Sequence, residues 1–125
     1  MNVKIMGADQ SVTNVSGANY VATLQATAAR GRLYKLTLSP LAGMAVDVYA
    51  WIFDLAAGSA ASAAPVAVRY VPAAAGGTWD FGPDGSLFQN GIYVALSTVR
   101  PTDATTTVTD SGSNKMIIKA DVRVG

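Results

Sequence analysis

The chain has 125 residues and a net charge of +1, with no cysteine and no histidine, and only 14% of its residues are charged. This length is sufficient to bury a hydrophobic core as one domain. The missing residue types exclude disulfides, thiolate and imidazole metal sites, and serine–histidine or cysteine–histidine catalysis. The small net charge and the lack of a basic run argue against nucleic-acid binding through phosphate contacts.

The choice of residue types favours strands over helices. All eight acidic residues are Asp, lysines number four, and Val, Ile and Thr together supply 30 residues. Glu and Lys favour helices, whereas β-branched residues favour strands. A surface so poor in charge is typical of a protein that partners cover, although an alanine-rich composition from a GC-rich genome is the alternative.

The N-terminal segment 1–31 is weakly patterned and rich in turn residues, and we predict an arm with some β content that packs on a neighbouring molecule. This segment lacks the long apolar core of an export signal. The longest apolar stretch, 46–57, contains Asp47 and Asp54 and is too short to span a bilayer, so no membrane contact is expected. A single β-domain is predicted over 32–125.

From residue 32 onward, apolar and polar residues alternate as they do in half-buried strands. In 32–39, Tyr34, Leu36 and Leu38 are predicted to share one face. The segment 46–53 is largely apolar on both faces. One face carries small and branched side chains: Val46, Val48, Ala50 and Ile52. The other carries Asp47 and three aromatic side chains, which a loop, the N-terminal arm or another subunit must cover: Tyr49, Trp51 and Phe53.

Further strands are predicted at 66–72, 78–81, 92–100, 102–109 and 116–124. Pro-Asp-Gly and Asn-Gly sequences mark turns at 82–85 and 88–91, and the small-residue segment 55–65 is predicted to be a loop. In the last strand one face is apolar: Met116, Ile118, Ala120, Val122 and Val124. Seven or eight short strands of this kind predict an all-β fold, either an antiparallel β-sandwich or a jelly roll.

The carboxylates give little support to a catalytic or metal site. Asp80 and Asp84 lie close in sequence and are candidates for calcium, but no Asp-x-Asp-x-Asp loop is present and turn formation explains them better. A glycan hydrolase needs two positioned carboxylates, for which Asp54, Asp80 and Asp84 are the candidates. We expect no enzyme activity, no metal and no cofactor.

Four aromatic residues on predicted strands are the candidate contact residues for another subunit or for a partner protein: Tyr49, Trp51, Phe53 and Trp79. Aromatic side chains are enriched at protein interfaces. The same side chains would fill a core if buried, and would stack on sugar rings if exposed. Their position on strands rather than on loops favours a core or a subunit contact.

A series of short motifs lies between residues 33 and 98. They are Leu33-Tyr34, Phe53-Asp54, Pro65-Val66, Val71-Pro72 and Phe81-Gly82, followed by the run Phe-Gln-Asn-Gly-Ile-Tyr-Val-Ala-Leu-Ser-Thr at 88–98. With the last strand included, the segment 32–124 resembles small virion proteins of tailed bacteriophages. The run at 88–98 is the most specific part of the resemblance, and the segment 1–31 lies outside it.

The resemblance implies a β-sandwich that belongs to the phage head or to an appendage and has no catalytic residue. The expected function is that of a capsid decoration (cement) protein on the outer surface of the head, made in the host cytoplasm. The expected partners are the major capsid protein and further copies of the chain, since a homotrimer would also hide sheet edges. The alternative is a head-fibre, neck or tail appendage domain that binds a host surface glycan.

Overall fold

The computed structural model describes residues 10–13, 23–40, 47–56, 64–100 and 116–124. These ranges contain nine strands: β1 (Gln10–Thr13), β2 (Thr23–Thr27), β3 (Gly31–Pro40), β4 (Val48–Phe53), β5 (Ala67–Val71), β6 (Gly77–Asp80), β7 (Ser86–Phe88), β8 (Ile92–Ser97) and β9 (Met116–Val124). Across the same ranges there is no helix of the length and apolar character needed to cross a membrane.

The strands form two antiparallel sheets. The five-stranded sheet has the order β1-β9-β3-β6, with β7 also paired to β3, and the four-stranded sheet has the order β2-β8-β4-β5. Strands β6 and β7 lie end to end along one edge of β3 and together occupy one strand position. With β6 and β7 counted as one, there are eight strand positions, and they pair first with last inwards. The pairs are β1 with β9, β2 with β8, β3 with β6 and β7, and β4 with β5. This is the strand order of a jelly roll, and it confirms the predicted all-β antiparallel fold.

The core lies between the inner faces of the two sheets. From the four-stranded sheet, β4 contributes the face that its alternation predicts: Val48, Ala50 and Ile52. From the five-stranded sheet, β9 contributes four fully buried side chains: Met116, Ile118, Ala120 and Val122. Because each large apolar side chain that leaves water contributes about 1.5–3 kcal/mol, these alternating positions are the main source of stability.

The predicted inner face of β3 is wrong in part, because the strand contains a β-bulge. The pairing register with β9 shifts by one residue between Leu33 and Lys35, so the alternation reverses at Tyr34. As a result, Leu33 rather than Tyr34 shares the core face with Leu36 and Leu38.

Tyr34 is buried beneath the predicted turn at 82–85, which separates β6 from β7. The backbone N–H of Phe81 donates to the carbonyl of Tyr34 at 2.9 Å, and the N–H of Gly85 donates to the carbonyl of Gly82 at 3.1 Å. The φ of Gly85 is 68°, and a Cβ there would lie 3.1 Å from the ring of Tyr34. The turn therefore requires glycine both for its backbone angle and for its contact with the ring.

The segment 1–31 contributes two strands to the sheets. Strand β1 pairs with β9 at one edge of the five-stranded sheet, and β2 pairs with β8 at one edge of the four-stranded sheet. Packing of this segment on a neighbouring molecule stays a prediction. The strand predicted at 102–109 and most of the loop predicted at 55–65 lie outside the described residues.

At the end of β4, the carboxylate of Asp54 holds the turn that precedes β8. It accepts hydrogen bonds from the backbone N–H groups of Gln89, Asn90 and Gly91 at 3.0, 2.7 and 3.3 Å. Gly91 is so closely packed that a Cβ there would lie 2.4 Å from the carbonyl oxygen of Leu55. Desolvation alone would raise the pKa of Asp54, but the three N–H bonds outweigh it and lower the pKa below its ordinary value.

Replacing this carboxylate should destabilise the fold. We expect Asp54→Ala to lower the free energy of unfolding by about 1–2 kcal/mol, because three backbone donors lose a partly solvated acceptor. Urea denaturation measures the change. The matched control is Asp84→Ala, which removes an exposed turn aspartate and should change stability by less than about 0.5 kcal/mol. Equal losses in the two variants would contradict the role of Asp54.

The same carboxylate should contribute to acid sensitivity. Because the pKa of Asp54 is lowered by folding, its contribution is fully present above the ordinary value of 3.8 and is lost as the pH falls through the folded-state pKa. The stability difference between the wild type and Asp54→Asn should therefore shrink between about pH 5 and about pH 2, as followed by urea denaturation. A difference that stays constant over this range would rule out the depressed pKa.

Candidate functional site

The outer face of the five-stranded sheet is polar. Its exposed positions alternate with buried ones on the same strands, and the most exposed are hydrophilic: Lys35, Thr78, Asp80 and Lys119. Leu87 on β7 is the exception, with 37% of its surface exposed. Water can solvate the side chains that the structure describes on this face.

The outer face of the four-stranded sheet is apolar and carries a second cluster of buried side chains. Its fully or nearly buried members are Trp51, Phe53, Tyr93 and Ala95. The ring of Phe53 lies 6.1 Å from that of Trp51 and 6.0 Å from that of Tyr93. The indole N–H of Trp51 donates to the carbonyl of Val99 at 3.0 Å, so the segment after β8 covers part of this face.

The structure brings together three of the four aromatic residues that the sequence singles out. Trp51 and Phe53 have no exposed surface in the free chain, and Tyr49 packs against them while it stays partly exposed. Trp79 lies on β6 of the other sheet, where it packs against the main core. Of these four residues, Tyr49 alone is placed at the surface beside the aromatic cluster.

Strand β5 and Val66, the residue just before it, carry the exposed apolar side chains that sequence reasoning missed as a site. Val66 and Tyr70 expose 60% and 52% of their surface, and Val68 between them is half-buried. We call these three residues the β5 stripe. The sequence does contain a signal for this exposed stripe. Both faces of the segment 66–72 are largely apolar, and only one of them can face the core.

A groove of about 410 Å³ lies beside the β5 stripe and is lined, among the described residues, by Tyr49, Val68, Tyr70 and Arg100. The strand register places Tyr49 directly opposite Tyr70. Their rings are 5.6 Å apart and inclined at 58°. The groove therefore combines two aromatic rings with one exposed guanidinium.

The carboxylate of Asp47 fixes the ring of Tyr70. It accepts hydrogen bonds from the backbone N–H of Ala73 at 2.8 Å and from the Tyr70 hydroxyl. These two bonds, that from Ala73 first, lower the pKa of Asp47, and the bond to Asp47 raises the pKa of Tyr70. At neutral pH the pair thus remains a neutral phenol donating to a charged carboxylate.

One carbonyl of β5 accepts a hydrogen bond from a side chain of the same strand. The guanidinium of Arg69 donates to the carbonyl of Val68 at 3.0 Å and lies 5.7 Å from the ring centroid of Phe81. Because Phe81 follows β6, this cation–π contact also links the two sheets. Strand addition at this carbonyl would have to compete with the guanidinium of Arg69.

Two of the three candidate acidic residues hold backbone N–H groups, and the third, Asp84, is exposed in the turn after β6. Asp54 holds the turn before β8, and Asp80 accepts a hydrogen bond from the N–H of Gly82 at 2.8 Å. This is the turn role that the sequence favours for Asp80. Where the structure describes the chain, no three acidic side chains come together in a group that could hold a metal ion.

No family model matches this sequence, and comparison with curated proteins and with solved structures gave no significant match. The jelly roll alone does not fix a function, because the same architecture serves capsid proteins, lectins and cupins. The chemistry of the surface therefore determines which partners or ligands this chain can bind.

The two tryptophans should report their different environments. In Trp79→Phe, the remaining Trp51 is fully buried and should emit at shorter wavelength with little quenching by acrylamide. In Trp51→Phe, the remaining Trp79 is half-buried and should show a larger Stern–Volmer constant. Equal quenching in the two variants, with both still folded by circular dichroism, would contradict the burial of the aromatic cluster.

Proposed function

We propose that this chain is a non-enzymatic virion protein of a tailed bacteriophage, which decorates the outer surface of the head and bridges neighbouring capsid subunits. The observation that carries the proposal is the difference between the two outer faces. One is polar, whereas the other holds an aromatic cluster bordered by the exposed β5 stripe. Because the cluster is already buried in the free chain, the exposed β5 stripe is the apolar surface left on this side for a contact with the shell.

The β5 stripe supplies the favourable contact free energy. Each Å² of apolar surface that a partner covers contributes about 25 cal/mol to binding. Tyrosine is also enriched among the interface residues that contribute most to the binding free energy. Contacts of modest strength suffice on a shell, because many copies bind a symmetric lattice. A ligand that binds only the assembled shell stabilises that shell by mass action.

The sequence resemblance supports the phage assignment. Its most specific run, 88–98, is the turn held by Asp54 and the whole of β8, the strand beneath the aromatic cluster. The jelly roll is also an architecture of viral capsid proteins, which is support by analogy. The major capsid protein is the proposed partner, and a homotrimer on threefold positions is the proposed assembly.

A second candidate function is favoured by the groove at Tyr49, Tyr70 and Arg100. Aromatic rings beside a hydrogen-bonding cation are the usual components of a sugar-binding surface. In that case the chain is a head-fibre, neck or tail appendage domain that binds a host glycan.

The decoration function predicts that a charge in the β5 stripe disrupts binding to heads. The wild type should co-sediment with expanded heads of its own phage and raise their melting temperature. Val66→Asp should weaken this binding at least about tenfold, because the contact would then bury an unpaired carboxylate. Val66 is 60% exposed, so the substitution should leave the fold intact.

The matched control is Leu87→Asp, which puts the same charge at an exposed apolar position on the opposite face. It should bind heads like the wild type. Absence of wild-type binding to expanded heads would refute the decoration function. Equal loss in both variants would show that the β5 stripe is not the contact.

A further inference from the structure

The groove beside the β5 stripe has features that select one class of glycan. Tyr70 supplies a ring with half of its surface exposed, Tyr49 flanks it at 5.6 Å, and Arg100 supplies the charged side chain among the described lining residues. The volume of about 410 Å³ lies within the range of small-ligand sites. The groove is therefore large enough for a sugar ring and has a cation at its border.

The Tyr70 ring is fixed before any ligand arrives. Its hydroxyl donates to Asp47, and Asp47 is itself held by the N–H of Ala73. A ring already fixed in place loses little conformational entropy on binding, which strengthens an otherwise weak stacking contact. The apolar face of a pyranose ring can pack on such a ring as other apolar groups pack on aromatic faces.

The charges decide between neutral and acidic sugars. Arg100 is exposed, and a guanidinium binds a carboxylate through two parallel hydrogen bonds. The carboxylate of Asp47, which contacts the groove residue Tyr70, already accepts hydrogen bonds from Tyr70 and Ala73, which reduces its repulsion of an incoming anion. A neutral sugar would gain only the stacking contact, and a simple anion would gain only the contact with Arg100.

We propose that this groove binds a carboxylate-bearing sugar residue of an acidic polysaccharide, with the pyranose ring on Tyr70 and the carboxylate on Arg100. The proposal rests on the second candidate function, glycan binding, and specifies its ligand class. An extended peptide is a poorer occupant, because one carbonyl of β5, that of Val68, already accepts a hydrogen bond from Arg69. Both uronic and sialic acids have the required chemistry.

The test is a calorimetric titration of the whole chain with four probes. They are tetragalacturonate, tetrasialic acid, the carboxyl-reduced neutral form of the tetragalacturonate, and sodium acetate. We expect one or both acidic tetrasaccharides to bind at least about tenfold more tightly than the neutral one and than acetate, a difference of about 1.4 kcal/mol. Which acidic probe binds identifies the class of sugar acid.

Variants locate the site. Arg100→Gln should reduce binding of the acidic probe to that of the neutral probe, and Tyr70→Ala should abolish binding of both. Arg30→Gln is the matched control, since it removes an exposed guanidinium at the bend between β2 and β3 and should leave every affinity unchanged. An unchanged far-ultraviolet circular dichroism spectrum and a cooperative urea transition confirm that each variant is folded.

The outcomes distinguish failure of the acidic-sugar proposal from failure of glycan binding, on which it rests, and from failure of head decoration. Equal binding of the neutral and acidic probes, with loss in Tyr70→Ala, would overturn the acidic preference and leave glycan binding standing. Binding that survives both Arg100→Gln and Tyr70→Ala would overturn the site. If no saccharide binds while Val66→Asp still prevents binding to heads, glycan binding is wrong at this groove and decoration stands.

Discussion

The structure depends on one constraint, which is that β4 is apolar on both of its faces. A sandwich of two sheets has a single core, and the face of β4 with Val48, Ala50 and Ile52 fills it. The opposite face, with Trp51 and Phe53, must be covered from outside the sandwich. Part of that cover comes from Val99 within the chain, and the apolar surface continues into the exposed β5 stripe.

This constraint also determines what kind of surface the chain presents. At the β5 edge of the four-stranded sheet, the guanidinium of Arg69 donates to the carbonyl of Val68. The same strand presents the ring of Tyr70, which is fixed by Asp47. A rigid apolar stripe beside a groove is suited to binding one defined partner. Strand pairing at an open edge is less selective and is a route to aggregation. On the other side of the molecule, the described outer side chains of the five-stranded sheet are mostly polar and face water.

The alternation of apolar residues was enough to predict the fold class and the faces of β4 and β9, since side chains on a strand alternate between two sides. It could not predict the bulge at Tyr34. That bulge lies beneath a turn some fifty residues further on, closed between Gly82 and Gly85, and no residue within 32–39 marks the contact. Long-range pairing of this kind is not encoded in a local pattern.

The candidate site was predictable in part for the same reason. Tyr49 could be identified from its own strand. The position of Tyr70 beside it depends on the register between β4 and β5, and the position of Arg100 depends on the path of the chain after β8. Trp79 was grouped with the aromatic cluster because residue type was the only guide. Its strand lies in the other sheet, which only the topology reveals.

The most direct test of the central claim is an electron-microscopic reconstruction of expanded phage heads after incubation with the protein, the assembly that we propose. If the apolar side is built for a partner, the four-stranded sheet and its β5 stripe will face the shell and the five-stranded sheet will face solvent. A particle in which the polar five-stranded sheet lies against the shell, or in which the protein is absent from the head, would contradict the account.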